Sequence, residues 1–199
     1  MAPDTRRDQR ARPGQVRIIG GTWRSRRLEF PGTAGLRPTP DRVRETVFNW
    51  LAAFLPGAAC LDLFAGSGAF GFEALSRGAA RAVLVERDAA VATALCVSRD
   101  ALQAAGAEIV HADAVDFLGG PVREFDIVFC DPPYASGLLE RCLRLLAERG
   151  WVKPGGFIYM EARAGEVPAP PSGWQLLRSK SAGQVGYHLY RRIENKEQP

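Results

Sequence analysis

The chain predicts an α/β fold. Its sheet is mainly parallel and seven-stranded, closed by a terminal antiparallel hairpin and preceded by a short N-terminal β-hairpin. Three observations carry that expectation. From residue 58 onward, apolar β-prone runs alternate with helical stripes, the order that builds a parallel sheet covered on both faces. Gly66-Ser67-Gly68-Ala69-Phe70-Gly71 stands between the first of these strands and its helix as GxGxxG, which marks a ligand-binding strand-to-helix turn. At the C-terminal end, residues 174–180 and 185–192 are two β-type runs joined by Ser181, Ala182, Gly183 and Gln184. With no helix between them, they must pair antiparallel.

Taken in order, residues 1–14 read as a disordered basic tail and 15–199 as a single domain. Val16 to Ile19 and Thr22 to Phe30 read as two strands turning at Gly20-Gly21, with Arg24, Arg26 and Arg27 on the second. Pro31 to Pro38 is a loop, so residues 15–38 form a hairpin followed by a loop. Thr39 is expected to cap the first helix, with Pro40 at its first position. That helix carries a stripe of Val43, Val47, Phe48, Leu51 and Phe54, and Pro56-Gly57 ends it. Strands are expected at 59–64, 82–86, 108–111, 126–130 and 157–161. Helices are expected at 68–77, 89–104 and 138–149, with a short segment at 115–118.

Composition narrows the class. A hydrophobic content of 46% is ordinary for a globular protein, and no run reaches the length of a membrane span. Met1 to Arg12 is polar and Arg-rich, so a secretory signal is not expected. Cys60, Cys96, Cys130 and Cys142 show no CxxC pairing and read as small buried hydrophobes in a reducing cytoplasm. With His111 and His188 the only histidines, no metal site is expected. Charge is uneven. Residues 1–44 hold eleven Arg against Asp4, Asp8, Glu29 and Asp41, whereas the other 155 residues carry 15 basic and 18 acidic groups. Arginine without lysine suits phosphate forks and base stacking.

The motif chemistry is sharpest at Asp131-Pro132-Pro133-Tyr134, which breaks an apolar strand abruptly. The Asp131 carboxylate and the Pro132 carbonyl can accept both N–H bonds of an amino group on a heterocycle, while Tyr134 stacks on its ring. Glu86 ends the second strand, twenty residues after Gly66, where a carboxylate can bind ribose hydroxyls. A ribose occurs at that place in both NAD and S-adenosylmethionine (SAM). Asp62 favours SAM, because an extra carboxylate suits an ammonium and a sulfonium and repels a pyrophosphate. Asp113 is placed to accept an adenine amino group. The alternatives are local caps: Asp62 as a structural carboxylate, Asp113 as the N-cap of the next short helix.

Together Asp62-x-x-x-Gly66-x-Gly68, Glu86, Asp113 and Asp131-Pro132-Pro133-Tyr134 resemble the Rossmann-like class I SAM-dependent methyltransferases acting on amino nitrogens. Residues 17–24, Leu36-Arg37-Pro38-Thr39, residues 41–51, Leu75-Ser76-Arg77 and Ala182-Gly183-Gln184-Val185 resemble the bacterial RsmD family more narrowly. That resemblance implies methylation of the exocyclic N2 of one guanine in small-subunit (16S) ribosomal RNA, with SAM as cofactor. It implies catalytic roles for Asp131, Pro132 and Tyr134. Asp62, Phe64, Gly66, Gly68, Glu86 and Arg87 would hold the cofactor, with Asp113, Ala114 and Asp131. Arg17, Arg24, Arg26, Arg27, Arg37 and Arg42 would hold RNA. A cytoplasmic monomer acting on an assembly intermediate of the small subunit is expected. Three other readings compete: an adenine-N6 methyltransferase on RNA or DNA, an NAD-dependent oxidoreductase, and a non-catalytic RNA-binding factor.

Overall fold

The structure, a computed structural model, describes residues 13–32, 39–133 and 137–193. Two short strands come first, β1 (Gly14–Arg17) and β2 (Arg27–Phe30), followed by helix α1 (Asp41–Leu51). Strands and helices then alternate: β3 (Ala59–Asp62), α2 (Ala69–Ser76), β4 (Arg81–Glu86), α3 (Ala89–Leu102), β5 (Ala107–His111), α4 (Ala114–Gly119), β6 (Phe125–Cys130) and α5 (Leu138–Glu148). Three strands finish the chain: β7 (Val152–Arg163), β8 (Trp174–Ala182) and β9 (Val185–Arg192). The seven-stranded sheet has the order β5-β4-β3-β6-β7-β9-β8. β5 to β7 run parallel, and β9 enters antiparallel between β7 and β8. The expected α/β fold with its closing hairpin is what the chain forms.

The period-2 alternation of each strand sorts its side chains between two cores. Cys60, Leu84, Ile127, Phe129 and Tyr159 face a core shared with the hairpin, α1, α2 and α3. Leu61, Val83, Val85, Val128 and Ile158 face the opposite core, under α4 and α5. Both faces are covered, which is why these strands are continuously apolar and not alternating. The α1 stripe is as expected: Val43, Val47, Phe48 and Leu51 are all at most 1% exposed. Phe54 is not part of it, standing exposed beyond the helix end and packing on Phe157. No helix among the described residues is long and apolar enough to cross a membrane.

The N-terminal hairpin departs from expectation. Gly20-Gly21 is not its turn. Residues 18–26 form the connection, which reverses at Ser25 (φ 69°) with Ile18 and Ser25 bonded across it. Arg24 and Arg26 therefore lie in the connection, and only Arg27 is in the strand. The glycines serve close approach instead. Gly21 has φ 76°, and a Cβ there would fall 1.8 Å from the Ser76 carbonyl oxygen. Without side chains, the connection lies against the end of α2, where Thr22 N–H donates to the Ser76 carbonyl and Ser76 Oγ donates to the Gly20 carbonyl. Of the expected disordered tail, residues 1–12 lie outside the described residues, and Gly14 already begins β1.

Candidate active site

Helix α2 has Gly68 as its N-cap, in the left-handed conformation at φ 75°, and Gly66 is also left-handed at φ 49°. A Cβ on Gly71 would fall 2.6 Å from Leu84, so the third glycine of GxGxxG lets helix and strand pack closely. Carboxylates surround this turn at the C-terminal ends of the parallel strands. Glu86 Oε2 accepts from Gly66 N–H at 2.9 Å, and its Oε1 accepts from Asp88 N–H at 2.8 Å. Asp62 is 3% exposed and accepts from Gly71 N–H at 2.9 Å. Burial, with Glu86 nearby, pushes its carboxyl up to about 7, and the Gly71 N–H only partly offsets this. Asp113 Oδ1 accepts from Val115 N–H at 2.8 Å, so it is the N-cap of α4, the local alternative raised by the sequence. Ala114 follows it, buried at the start of α4, while Phe64 is half-buried and Arg87 exposed. A glycine-walled turn ringed by carboxylates fits a small ligand with cationic and hydroxyl groups. An ammonium beside Asp62 would offset the cost of burying its charge.

Beside this cradle, strand β6 ends in Asp131 and Pro132, Asp131 half-buried and Pro132 buried. Tyr134 lies outside the described residues. Burial, and the charges of Glu161 and Asp62, raise the Asp131 carboxyl well above the usual carboxylate range. Glu161 lies on β7 and is 3% exposed. Its Oε1 accepts from Tyr159 Oη at 2.7 Å and from Thr39 Oγ1 at 2.7 Å. Thr39 Oγ1 also stands 3.4 Å from Asp131 Oδ2. Thr39 is thus not the helix cap expected of it. Pro40 holds the N-cap position with no side-chain cap, Asp41 is the first helical residue, and the threonine hydroxyl serves the carboxylates. The tertiary demand of the buried Glu161 carboxylate and the half-buried Asp131 beside it overrides the local capping preference.

A second buried polar cluster ties the hairpin to this site. Glu73 on α2 is fully buried and accepts from Ile19 N–H at 2.6 Å, Gly20 N–H at 2.8 Å and Arg77 Nε at 2.7 Å. Arg44 on α1 is also fully buried, its Nη1 3.7 Å from Glu73 Oε2. Its Nη2 donates to the Arg17 carbonyl and to Asp41 Oδ1, and its Nε donates to the Thr39 carbonyl. Sequence reasoning missed Arg44, Glu73, Tyr159 and Glu161. Signals existed. Arg44 sits within the apolar stripe of its helix, Glu73 is the one charge in the apolar run of α2, and Glu161 follows Phe157 and Tyr159 at period two on a core-facing side.

The expected RNA-binding arginines are dispersed. Arg17 Nε donates to Asp41 Oδ2 at 2.6 Å, which holds it near Thr39, and Arg42 is exposed on α1. Arg26 Nη2 instead donates to the Ala101 carbonyl in the last turn of α3. Helix α3 runs antiparallel to the strands, so Arg26 lies toward the sheet end opposite Asp131, about 21 Å along the axis for a fourteen-residue helix. Arg27 Nη1 donates to Gln15 across the hairpin, Arg24 is exposed, and Arg37 lies outside the described residues. Of the cysteines, Cys60, Cys130 and Cys142 are fully buried, while Cys96 is only half-buried. Contact with Cys142 and burial push the Cys130 thiol up, so it is held as a thiol and not as a nucleophile.

Fold and site together define a Rossmann-like methyltransferase. The family model described as "Conserved hypothetical protein 95" matches residues 16–191, and the chain belongs to that family, the RsmD family of the sequence resemblance. Ribosomal RNA small subunit methyltransferase D of Escherichia coli (strain K12) is 51% identical over 180 residues, covering 90% of this chain and 91% of the relative. The protein of the same name from Haemophilus influenzae is 44% identical, covering 89% of this chain and 94% of the relative. Among solved structures, Escherichia coli yhhF superposes with a TM-score of 0.85 at 50% identity, covering 90% of this chain and 99% of that one.

Proposed function

We infer that the protein is a SAM-dependent methyltransferase acting on the exocyclic N2 of a guanine in small-subunit (16S) ribosomal RNA. The observation that carries the reading is the Asp131-Pro132 strand end beside the Glu86–Gly66 cradle, in a chain 51% identical to a ribosomal RNA small subunit methyltransferase. Asp62, Glu86 and the Gly66–Gly68 backbone would hold the cofactor, with Asp113 and Ala114 at its adenine and Phe64 and Arg87 flanking. The cofactor supplies an electrophilic methyl group on a sulfonium.

Guanine N2 is a poor nucleophile, because its lone pair is delocalised into the ring. The Asp131 carboxylate and Pro132 carbonyl accept its two N–H bonds and aim the lone pair at the methyl group. Tyr134 stacks on the base, which must be flipped or unstacked to enter. N2 gains the methyl and loses one hydrogen as a proton. Asp131, raised by its buried carboxylate neighbours, is a competent acceptor for that proton. Arg17 and Arg42 would clamp RNA near the site and Arg24, Arg26 and Arg27 farther along the hairpin, with Arg37 as a further phosphate contact. The reading includes one catalytic domain over residues 15–199, a cytoplasmic monomer, and a small-subunit assembly intermediate as substrate.

The test is transfer of labelled methyl from SAM to small ribosomal subunits lacking the modification, to naked 16S RNA and to duplex DNA. Products would be digested and their nucleosides identified by mass spectrometry. N2-methylguanosine from ribosomal RNA is expected, and N6-methyladenine or no label would overturn the assignment.

A further inference from the structure

We propose that Thr39 and Glu161 are positioning residues that set the carboxylate of Asp131, and that Arg44 makes this setting depend on the docked N-terminal hairpin. The inference rests on the reading of Asp131 as the group that holds the acceptor amine.

The geometry is a chain of contacts between elements far apart in sequence. Thr39 Oγ1 carries one proton and faces two carboxylates, Glu161 at 2.7 Å and Asp131 at 3.4 Å. One hydroxyl donates once, so the shorter contact takes the proton, and an oxygen lone pair is left toward Asp131. In that state Asp131 is best satisfied when protonated. When Asp131 ionises, rotation of the same hydroxyl supplies it with a donor, while Tyr159 Oη continues to hold Glu161 at 2.7 Å. Thr39 thereby serves either protonation state of Asp131. That suits a group which accepts a proton during turnover.

Thr39 cannot drift, because its carbonyl accepts from Arg44 Nε, and the same guanidinium holds the Arg17 carbonyl of β1 and lies against Glu73. Glu73 in turn holds the Ile19 and Gly20 amides. The hairpin, α1 and the reacting carboxylate are therefore one polar network. A displacement on the order of 1 Å at a reacting group can cost 10²-fold in rate, which gives this network leverage over turnover. Among the described residues, the charged groups facing Asp131 are Glu161 from β7 and Asp62 from β3, with the Cys130 thiol adjacent on β6.

The test uses the full chain and three variants, Thr39→Val, Thr39→Ser and Glu161→Gln, each checked by thermal unfolding. Thr39→Val is expected to lower kcat about 10- to 100-fold with KM for SAM within about threefold, and Thr39→Ser to restore most of it. Glu161→Gln removes a like charge, so the Asp131 carboxyl should titrate lower than in the wild type. The acid limb of the kcat profile should move down with it. Carboxyl ¹³C NMR of Asp131, in the protein without RNA, reads the same shift independently of any substrate. Unchanged kcat in Thr39→Val with an unmoved Asp131 titration in Glu161→Gln would overturn the proposal, whatever the loss of thermal stability. If wild-type protein makes no N2-methylguanosine while the titration shift is present, the functional reading fails and the network stands.

Discussion

The two halves of the site satisfy their carboxylates in opposite ways. On the β3–β4 side, Asp62, Glu86 and Asp113 accept backbone N–H groups from Gly71, Gly66 and Val115, partners no more than 20 residues away. On the β6–β7 side, the Asp131 and Glu161 carboxylates meet the hydroxyl of Thr39, which is 92 and 122 residues away from them. The first half is a set of turns that shape themselves locally. The second exists only when α1, β6 and β7 are packed together. Cofactor binding should therefore be robust to loosening of the hairpin, and methyl transfer should not.

The largest test of that contrast is Asp131→Ala. Loss of methyl transfer by about 10²- to 10³-fold is expected, with the SAM dissociation constant by calorimetry within a few-fold. Unimpaired turnover would remove Asp131 from the mechanism. Next is Glu73→Ala, which leaves Arg44 with Asp41 as its one anion, strips the Ile19 and Gly20 amides and Arg77 of their acceptor, and should destabilise the protein by about 3–5 kcal/mol in chemical unfolding. If the variant unfolds like wild type, the hairpin is not anchored through this pair.

A smaller effect concerns pH. Asp62 binds its proton more tightly folded than unfolded, so the stability it contributes is full below 3.8 and is lost as pH rises toward about 7. Asp62→Asn should flatten that decline. A cation held at Asp62 favours the ionised form, so SAM affinity should rise with pH up to about 7 and then level. A pH-independent affinity would place the ammonium elsewhere. The smallest expected effect on catalysis is Arg24→Ala, Arg26→Ala and Arg27→Ala combined. RNA affinity should weaken and its logarithmic salt slope drop by up to about 3, one for each phosphate no longer neutralised, with saturated kcat retained. Because Arg26 is docked at the far end of α3, a slope unchanged by its single replacement and lowered by Arg17→Ala would confine the RNA to the Asp131 end.

How legible each half was follows from the same contrast. GxGxxG, Glu86 and the Asp131-Pro132-Pro133 break announce themselves because turn chemistry and strand ends leave residue-type signatures at fixed short spacings. The hairpin was legible as two strands, but its Gly-Gly pair was assigned to the wrong job. A glycine needed for a tight turn and a glycine needed for close approach to Ser76 look alike until α2 is in place. Thr39 before Pro40 reads as a helix cap by any local rule, and nothing within ten residues of it reveals Glu161.

By itself, then, the sequence determined the alternation of elements, the parallel sheet with its closing hairpin, the glycine turn and the strand-end carboxylate. These rest on periodicity, backbone sterics and capping, which act over a few residues. Only the tertiary structure decided which polar groups share a buried space: Arg44 with Glu73, and Thr39 with Glu161 and Asp131. Burying a charge is costly unless a partner meets it, and which partner can reach is set by how distant elements pack, not by their order along the chain.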